Sequence, residues 1–220
     1  AVSAEGRISP EDTGIWNDEQ VAAWTPITSF IRGHGAIPAI QLAHAGRKAS
    51  SAVPWEGGQL LSHAQGGWET FGPSALSQLP GEPSPSVLSV AQMDRIRDAF
   101  AGAARRAQRA GVDALELHCA HGYLLHEFLS PLANRRDDAY GGSFDNRIRM
   151  TVETARKVRA VVPERLPVTV RLSCVDWIEG GWTLAFAAFW LGIVNAVIRP
   201  LLVIFTLPLT LLTLGLFLFV

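Results

Sequence analysis

Apolar positions recur at helical spacing in several stretches of the chain and gather into short continuous runs between them. From Asn17 to Arg32, Val21, Trp24, Ile27 and Ile31 make one stripe, with Asn17 as N-cap and Gln20 three residues on in capping-box spacing. This predicts a first helix, kinked at Pro26 and ended by Gly33-His34-Gly35. The run Ile37 to His44 predicts a buried strand that closes on polar residues. A second helix opens at Ser89, with Gln92 in capping-box spacing. It buries Met93, Ile96, Phe100, Ala103 and Ala107, and stops at Gly111. Its other face carries Arg95, Arg97, Arg105, Arg106 and Arg109. Asp113 to His118 reads as the next strand, and a third helix capped by Ser143 runs to about Val162. Pro167 to Ser173 is a further strand, with Arg171 inside an otherwise apolar run. Alternating strands and helices predict an α/β fold with a parallel sheet. Residues 50–88, rich in Gly, Pro and Ser, are too long for a bare connection and predict a functional or mobile loop.

The pattern changes after residue 180. Of 19 basic and 20 acidic residues, only Arg199 falls within the last 40, and residues 180–198 and 200–220 are uncharged. Each run is close to the roughly 20 residues that cross a bilayer core as a helix. The whole-chain averages, 48% hydrophobic and 18% charged, conceal this division. A net charge of −1 with no basic block argues against nucleic acid as a partner. Cys119 and Cys174 lack CxxC spacing and read as reduced, buried thiols rather than a disulfide or zinc framework. The first residues show neither an initiator Met nor a secretory signal, so the chain reads as starting within a longer protein.

Polar residues cluster where the strands are expected to end. His118-Cys119-Ala120-His121-Gly122-Tyr123 sets three polar rings within six residues. No third ligand stands at a metal-binding spacing from the HxxH pair, so no metal site is assigned. As hydrogen-bond donors two imidazoles can hold one oxygen and stabilise charge developing on it, with Tyr123 as a proton source; histidines simply satisfied in a loop are the plainer reading. Gln41, at the end of its strand, can pair with a donor and an acceptor on a flat heterocycle, or be an ordinary strand end. Arg171 can neutralise an anionic cofactor atom or sit in a structural ion pair. Tyr140-Gly141-Gly142-Ser143 with Asn146, Arg147 and Arg149 can cradle a phosphate, though a tight turn plus a helix cap is the simpler reading.

Four ordered motifs carry a resemblance: Gly6-Arg7 through Gly14-Ile15-Trp16, Gln41 to Lys48, His118-x-x-His121 through Ser130-Pro131, and Tyr140-Gly141-Gly142-Ser143-x-x-Asn146-Arg147. Over about residues 1–184 the chain resembles the old yellow enzyme family, most closely its xenobiotic-reductase-like branch of flavin oxidoreductases. The resemblance implies a TIM barrel that binds FMN at the C-terminal ends of its strands, reduced by NADPH or NADH, in the cytoplasm. It assigns Gln41 and Arg171 to the flavin, His118 and His121 to the carbonyl oxygen of an electrophilic alkene, and Tyr123 to substrate binding and proton delivery. It also implies an incomplete (β/α)8 barrel with about three complete strands, so that FMN binding and activity are impaired.

Residues 185–220 resemble a phage-holin-like family of small bacterial membrane proteins, through Asn195-Ala196-Val197-Ile198-Arg199-Pro200 and Leu207-Pro208-Leu209-Thr210. This implies an apolar helical hairpin inserted in the inner membrane, and a chimeric junction at Leu184/Ala185. The alternative to an ene-reductase is then a non-enzymatic membrane segment carrying an enzyme remnant, or an assembly artefact.

Overall fold

The computed structural model describes residues 1–183, which divide into residues 1–173 and a second unit from residue 174 on. In the first unit, helix α1 spans Asp18–Gly33. Asn17 Oδ1 accepts the Gln20 N–H at 2.9 Å and Gln20 Oε1 accepts the Asn17 N–H at 3.2 Å, so the predicted capping box forms. The helix continues through Pro26, and its apolar stripe does not make a core: Ile27 is 48% exposed, and the buried residue is Thr28. Polar bonds to the end of the next helix hold α1 instead. Thr28 Oγ1 donates to the Ala110 carbonyl, and Arg32 donates to Gly111 O at 2.6 Å and pairs with Asp113 at 2.8 Å.

Strand β1 is Ala39–Leu42, shorter and more exposed than the run Ile37 to His44 suggests. Only Leu42 in it is buried, and Ile37 ahead of it is 75% exposed. The loop over residues 50–88 contains a two-residue parallel pairing, β2 (Phe71–Gly72) with β3 (Ser86–Val87). Helix α2 is Val90–Arg109, capped by Ser89, and its predicted apolar face is buried throughout. Arg97 departs from the expected solvent face. It is buried, donates to the Tyr140 hydroxyl at 3.2 Å, pairs with Glu153 at 2.7 Å and also with Asp94. A charge so placed holds α2 against the Tyr140 turn. Replacing Arg97 with Met leaves Glu153 and Tyr140 without it, and is expected to cost about 2–3 kcal/mol, read as a lower urea midpoint; an unchanged midpoint contradicts this.

Strand β4 is Ala114–Cys119, followed at once by a short helix α3, Leu124–Leu129, that no periodicity announces. All six of its residues are buried. Helix α4, Phe144–Arg159, is capped by Ser143 as expected, and β5 is Val168–Leu172. The sheet has the order β1-β4-β5 with both pairings parallel. It is a βα arrangement in which the side chains of one face turn toward the helices and those of the other do not. Leu42, Leu115, Leu117 and Cys119 take the covered face.

The described part of the second unit, residues 174–183, is a tight loop. Val175 bridges Thr183, Asp176 N–H donates to Trp182 O, and Trp182 N–H donates back to the Asp176 carboxylate at 2.7 Å. Cys174 is exposed, against the expectation of a buried thiol; Cys119 is buried. No helix among the described residues is long and apolar enough to cross a membrane. The hairpin expected over 185–220 lies outside the described residues.

Candidate functional site

The three parallel strands end on one side, and their register decides which side chains meet there. Gln41, Glu116 and Thr169 lie side by side, and two residues further along, on the same face, His118 lies beside Arg171. Gln41 is exposed, and its Nε2 donates to Glu116 Oε1 at 2.5 Å, so its amide nitrogen already has an acceptor. Glu116 is thus part of the site, although nothing in its sequence position as a strand residue marks it. The Arg171 side chain is exposed, and none of the side-chain hydrogen bonds or ion pairs among the described residues involves it.

The chain leaves β4 through a turn that is held at both faces of its peptides. His121 has φ +60 and Gly122 φ +74, the left-handed region that is uncommon for residues other than glycine. The His121 N–H donates to Ser173 Oγ at 2.9 Å, and its carbonyl accepts from Lys48 Nζ at 2.8 Å. Gly122 N–H donates to His126 Nδ1 at 2.8 Å. This brings the three rings together: His118 and His121 at 5.1 Å between centroids and 79° between planes, His118 and Tyr123 at 4.9 Å and 64°. Lys48 Nζ stands 5.6 Å from the Tyr123 ring centre. Lys48 and Ser173 escaped the sequence reading as site residues; the signal for Lys48 was its place just past the end of β1.

His118 is 5% exposed, and its Nδ1 is buried without a hydrogen-bond partner among the described residues. Burial lowers its pKa to about 4, helped by His121 and Arg171. The ring is therefore neutral across pH 5–8 and carries one N–H. Burial pushes the Tyr123 phenol above its usual range, with the Asp12 charge adding to it, so the hydroxyl keeps its proton near neutrality.

Beneath the site lies Glu127, fully buried. Its Oε1 accepts the Arg47 N–H at 2.9 Å, and its Oε2 has no partner among the described residues. Burial raises this carboxyl to about 8, against the pull of Arg47 and Lys48. Below pH 4.5 it is protonated folded and unfolded alike; between 4.5 and 8 the unfolded chain ionises first, so its contribution to stability is lost as pH rises. Glu127→Gln removes that slope, and its stability relative to the parent is expected to improve by on the order of 4 kcal/mol across the window. Urea unfolding at a series of pH values checks this, and a constant difference contradicts it.

The glycine turn at Gly141-Gly142 does structural work. A Cβ on Gly141 would fall 2.2 Å from Arg136 O, Ser143 Oγ accepts the Asn146 N–H, and Arg147 and Arg149 donate to the carbonyls of Leu129 and Ala139 at 2.9 and 2.8 Å. Among the described residues no group of three or more His, Cys, Asp or Glu is placed to hold a metal. A cavity of about 230 Å³ between Glu5, Phe71, Leu88, Gln92, Arg95 and Ile96 includes none of the strand-end residues.

Comparison with known proteins gives this geometry a context. The family model described as NADH:flavin oxidoreductase / NADH oxidase matches residues 1–200, sixteen residues beyond the boundary at 184 read from the sequence. A NADH:flavin oxidoreductase of Gibberella zeae is 44% identical over 183 residues, covering 81% of this chain and 44% of its own. A NADPH dehydrogenase of Halalkalibacterium halodurans is 42% identical over 181 residues, covering 82% and 48%. The solved old yellow enzyme homologue from Zymomonas mobilis superposes with a TM-score of 0.68 at 32% identity, over 83% of this chain and 50% of its own. Old Yellow Enzyme from Pichia sp. AKU4542 gives 0.68 at 29% identity, over 83% and 47%. The chain spans about half the length of the curated relatives it matches. The family model over residues 1–200, with these relatives and solved structures, shows that the chain belongs to the NADH:flavin oxidoreductase / NADH oxidase family.

Proposed function

We propose that the strand ends bind FMN and carry out NAD(P)H-dependent reduction of the activated C=C bond of α,β-unsaturated carbonyl compounds, as in the xenobiotic-reductase-like branch. The observation that carries the reading is the cluster of His118, His121 and Tyr123, with a buried His118 nitrogen that no group among the described residues satisfies. A buried unpaired polar atom is costly unless something else pairs with it, and a ligand oxygen does so.

The residues present fit a flavin. Gln41 offers its amide to the pyrimidine edge, and Arg171, in no ion pair among the described residues, offers a permanent charge to the neighbouring oxygen and nitrogen. When bound, FMN supplies the hydride that originates on NADPH or NADH. His118 and His121 hold the substrate carbonyl oxygen and stabilise the negative charge that develops on it as hydride reaches the alkene carbon. Tyr123 keeps its proton until then and delivers it to the other alkene carbon. Reduction of one C=C bond thus consumes one hydride and one proton. The reading rests on residues within 1–173, and the holin-like resemblance over 185–220 enters it nowhere.

The test is a titration of the chain, loaded with FMN, by para-hydroxybenzaldehyde. A phenolate mimics the charged oxygen and stacks its electron-rich ring on the oxidised flavin, giving a long-wavelength absorption band. Saturable appearance of that band supports the reading. FMN binding with no phenol response, or no FMN binding, overturns it.

A further inference from the structure

The turn that carries His121 is fixed by residues that lie far from it in sequence. Lys48 belongs to a 3-10 turn, Gly46–Lys48, just past β1. Buried Glu127 pins that turn through the Arg47 N–H, with Gly46 packed so closely that a Cβ there would fall 2.2 Å from Glu127 Oε1. From this anchored turn the Lys48 ammonium reaches the His121 carbonyl at 2.8 Å. A Cβ on Gly122 would meet Lys48 Cε and Nζ at 3.1 Å, so the amine fills the space over the turn. His121 is one of three residues other than glycine with positive φ among those described, an uncommon conformation that its surroundings hold.

We propose that Lys48, aimed by the buried Glu127, is a positioning residue: it locks the left-handed turn at His121 and so sets where the His121 and Tyr123 side chains stand. Lys48 acts through the peptide of His121 and touches no reacting atom. The chemical consequence rests on the oxidoreductase reading above, but the positioning itself does not. The charge of the ammonium strengthens its bond to the carbonyl over a neutral donor's. Holding a reacting group to within a fraction of an ångström is worth far more to chemistry than to stability.

The test compares Lys48→Met, Lys48→Arg and Glu127→Leu with the parent chain. Two quantities are measured: amide hydrogen exchange by NMR, and affinities for FMN and for para-hydroxybenzaldehyde. In Lys48→Met the Gly122 and Tyr123 amides are expected to exchange at least tenfold faster, while Leu115 and Leu117 in β4 keep the parent rates. Lys48→Arg, which retains a charged donor, restores the slow rates. Glu127→Leu removes the acceptor of the Arg47 N–H, loosens the turn that aims Lys48, and so speeds the same two amides. Phenol affinity falls at least fivefold in Lys48→Met with FMN affinity unchanged. Unchanged exchange at Gly122 and Tyr123 overturns the proposal, as does a general acceleration that includes β4. If the parent chain takes no phenol, the oxidoreductase reading fails, and the exchange rates still decide the role of Lys48.

Discussion

Gly46→Ala is expected to lower folding stability by about 3 kcal/mol or more. Gly46 has φ +64, where a Cβ is strained by roughly 1–2 kcal/mol. The added methyl would also fall 2.2 Å from Glu127 Oε1 and 2.9 Å from the Leu124 Cα, and the second of these is backbone that cannot turn aside. Because Gly46 is buried, neither contact can relax into solvent. Gly102 is the contrasting case. It lies inside α2, and a Cβ there meets only the flexible end of Arg106 at 3.1 Å. Gly102→Ala is therefore expected to stabilise by about 0.5–1 kcal/mol, through helix propensity. Urea unfolding of the two variants checks both signs. A Gly46→Ala chain as stable as its parent contradicts the packing described for the turn under the site.

The second large effect concerns ligand affinity. Replacing His118 or His121 with Ala in the FMN-loaded chain is expected to weaken para-hydroxybenzaldehyde binding by about 10–100-fold each, the worth of a hydrogen bond to a charged oxygen. The double substitution loses more than either alone, and FMN stays bound because neither histidine is assigned to it. With the His118 ring neutral above about pH 5, the affinity of the parent chain does not rise or fall through protonation of that ring between pH 5 and 8. Loss of flavin with unchanged phenol affinity contradicts the assignment.

The parts of the fold that depend on local chemistry were legible in the sequence. Asn17 with Gln20 and Ser89 with Gln92 start their helices as their spacing predicts, and the Met93-to-Ala107 stripe is buried as its period requires. Local pattern fails where burial depends on distant partners. The apolar stripe of α1 stays largely uncovered because Thr28 and Arg32, not Ile27 or Ile31, make the contacts with the end of α2. Arg97 sits on what reads as a solvent face, yet Tyr140 and Glu153 converge on it from other segments. Helix α3 is too short to show a period, and its six residues are buried all round.

The site shows the same division. The His118, His121 and Tyr123 cluster was visible because it lies within six residues, and the structure brings the three rings together. Lys48, Ser173 and Glu116 reach the site across 73, 52 and 75 residues of sequence, counted from His121, His121 and Gln41. Spacing along the chain cannot reveal such partners. Gln41 and Arg171 lie toward the C-terminal ends of β1 and β5, where their strand positions placed them, and parallel register sets them on the face that His118 shares.

The central claim is that His118 and His121 together take one ligand oxygen. Its most direct measurement is the ring nitrogen resonances of the six histidines by NMR, in the FMN-loaded chain before and after adding para-hydroxybenzaldehyde. The account predicts that the His118 and His121 ring signals shift together and saturate at one ligand per chain, while buried His44 keeps its signals. Ligand binding that leaves His118 and His121 unmoved contradicts it.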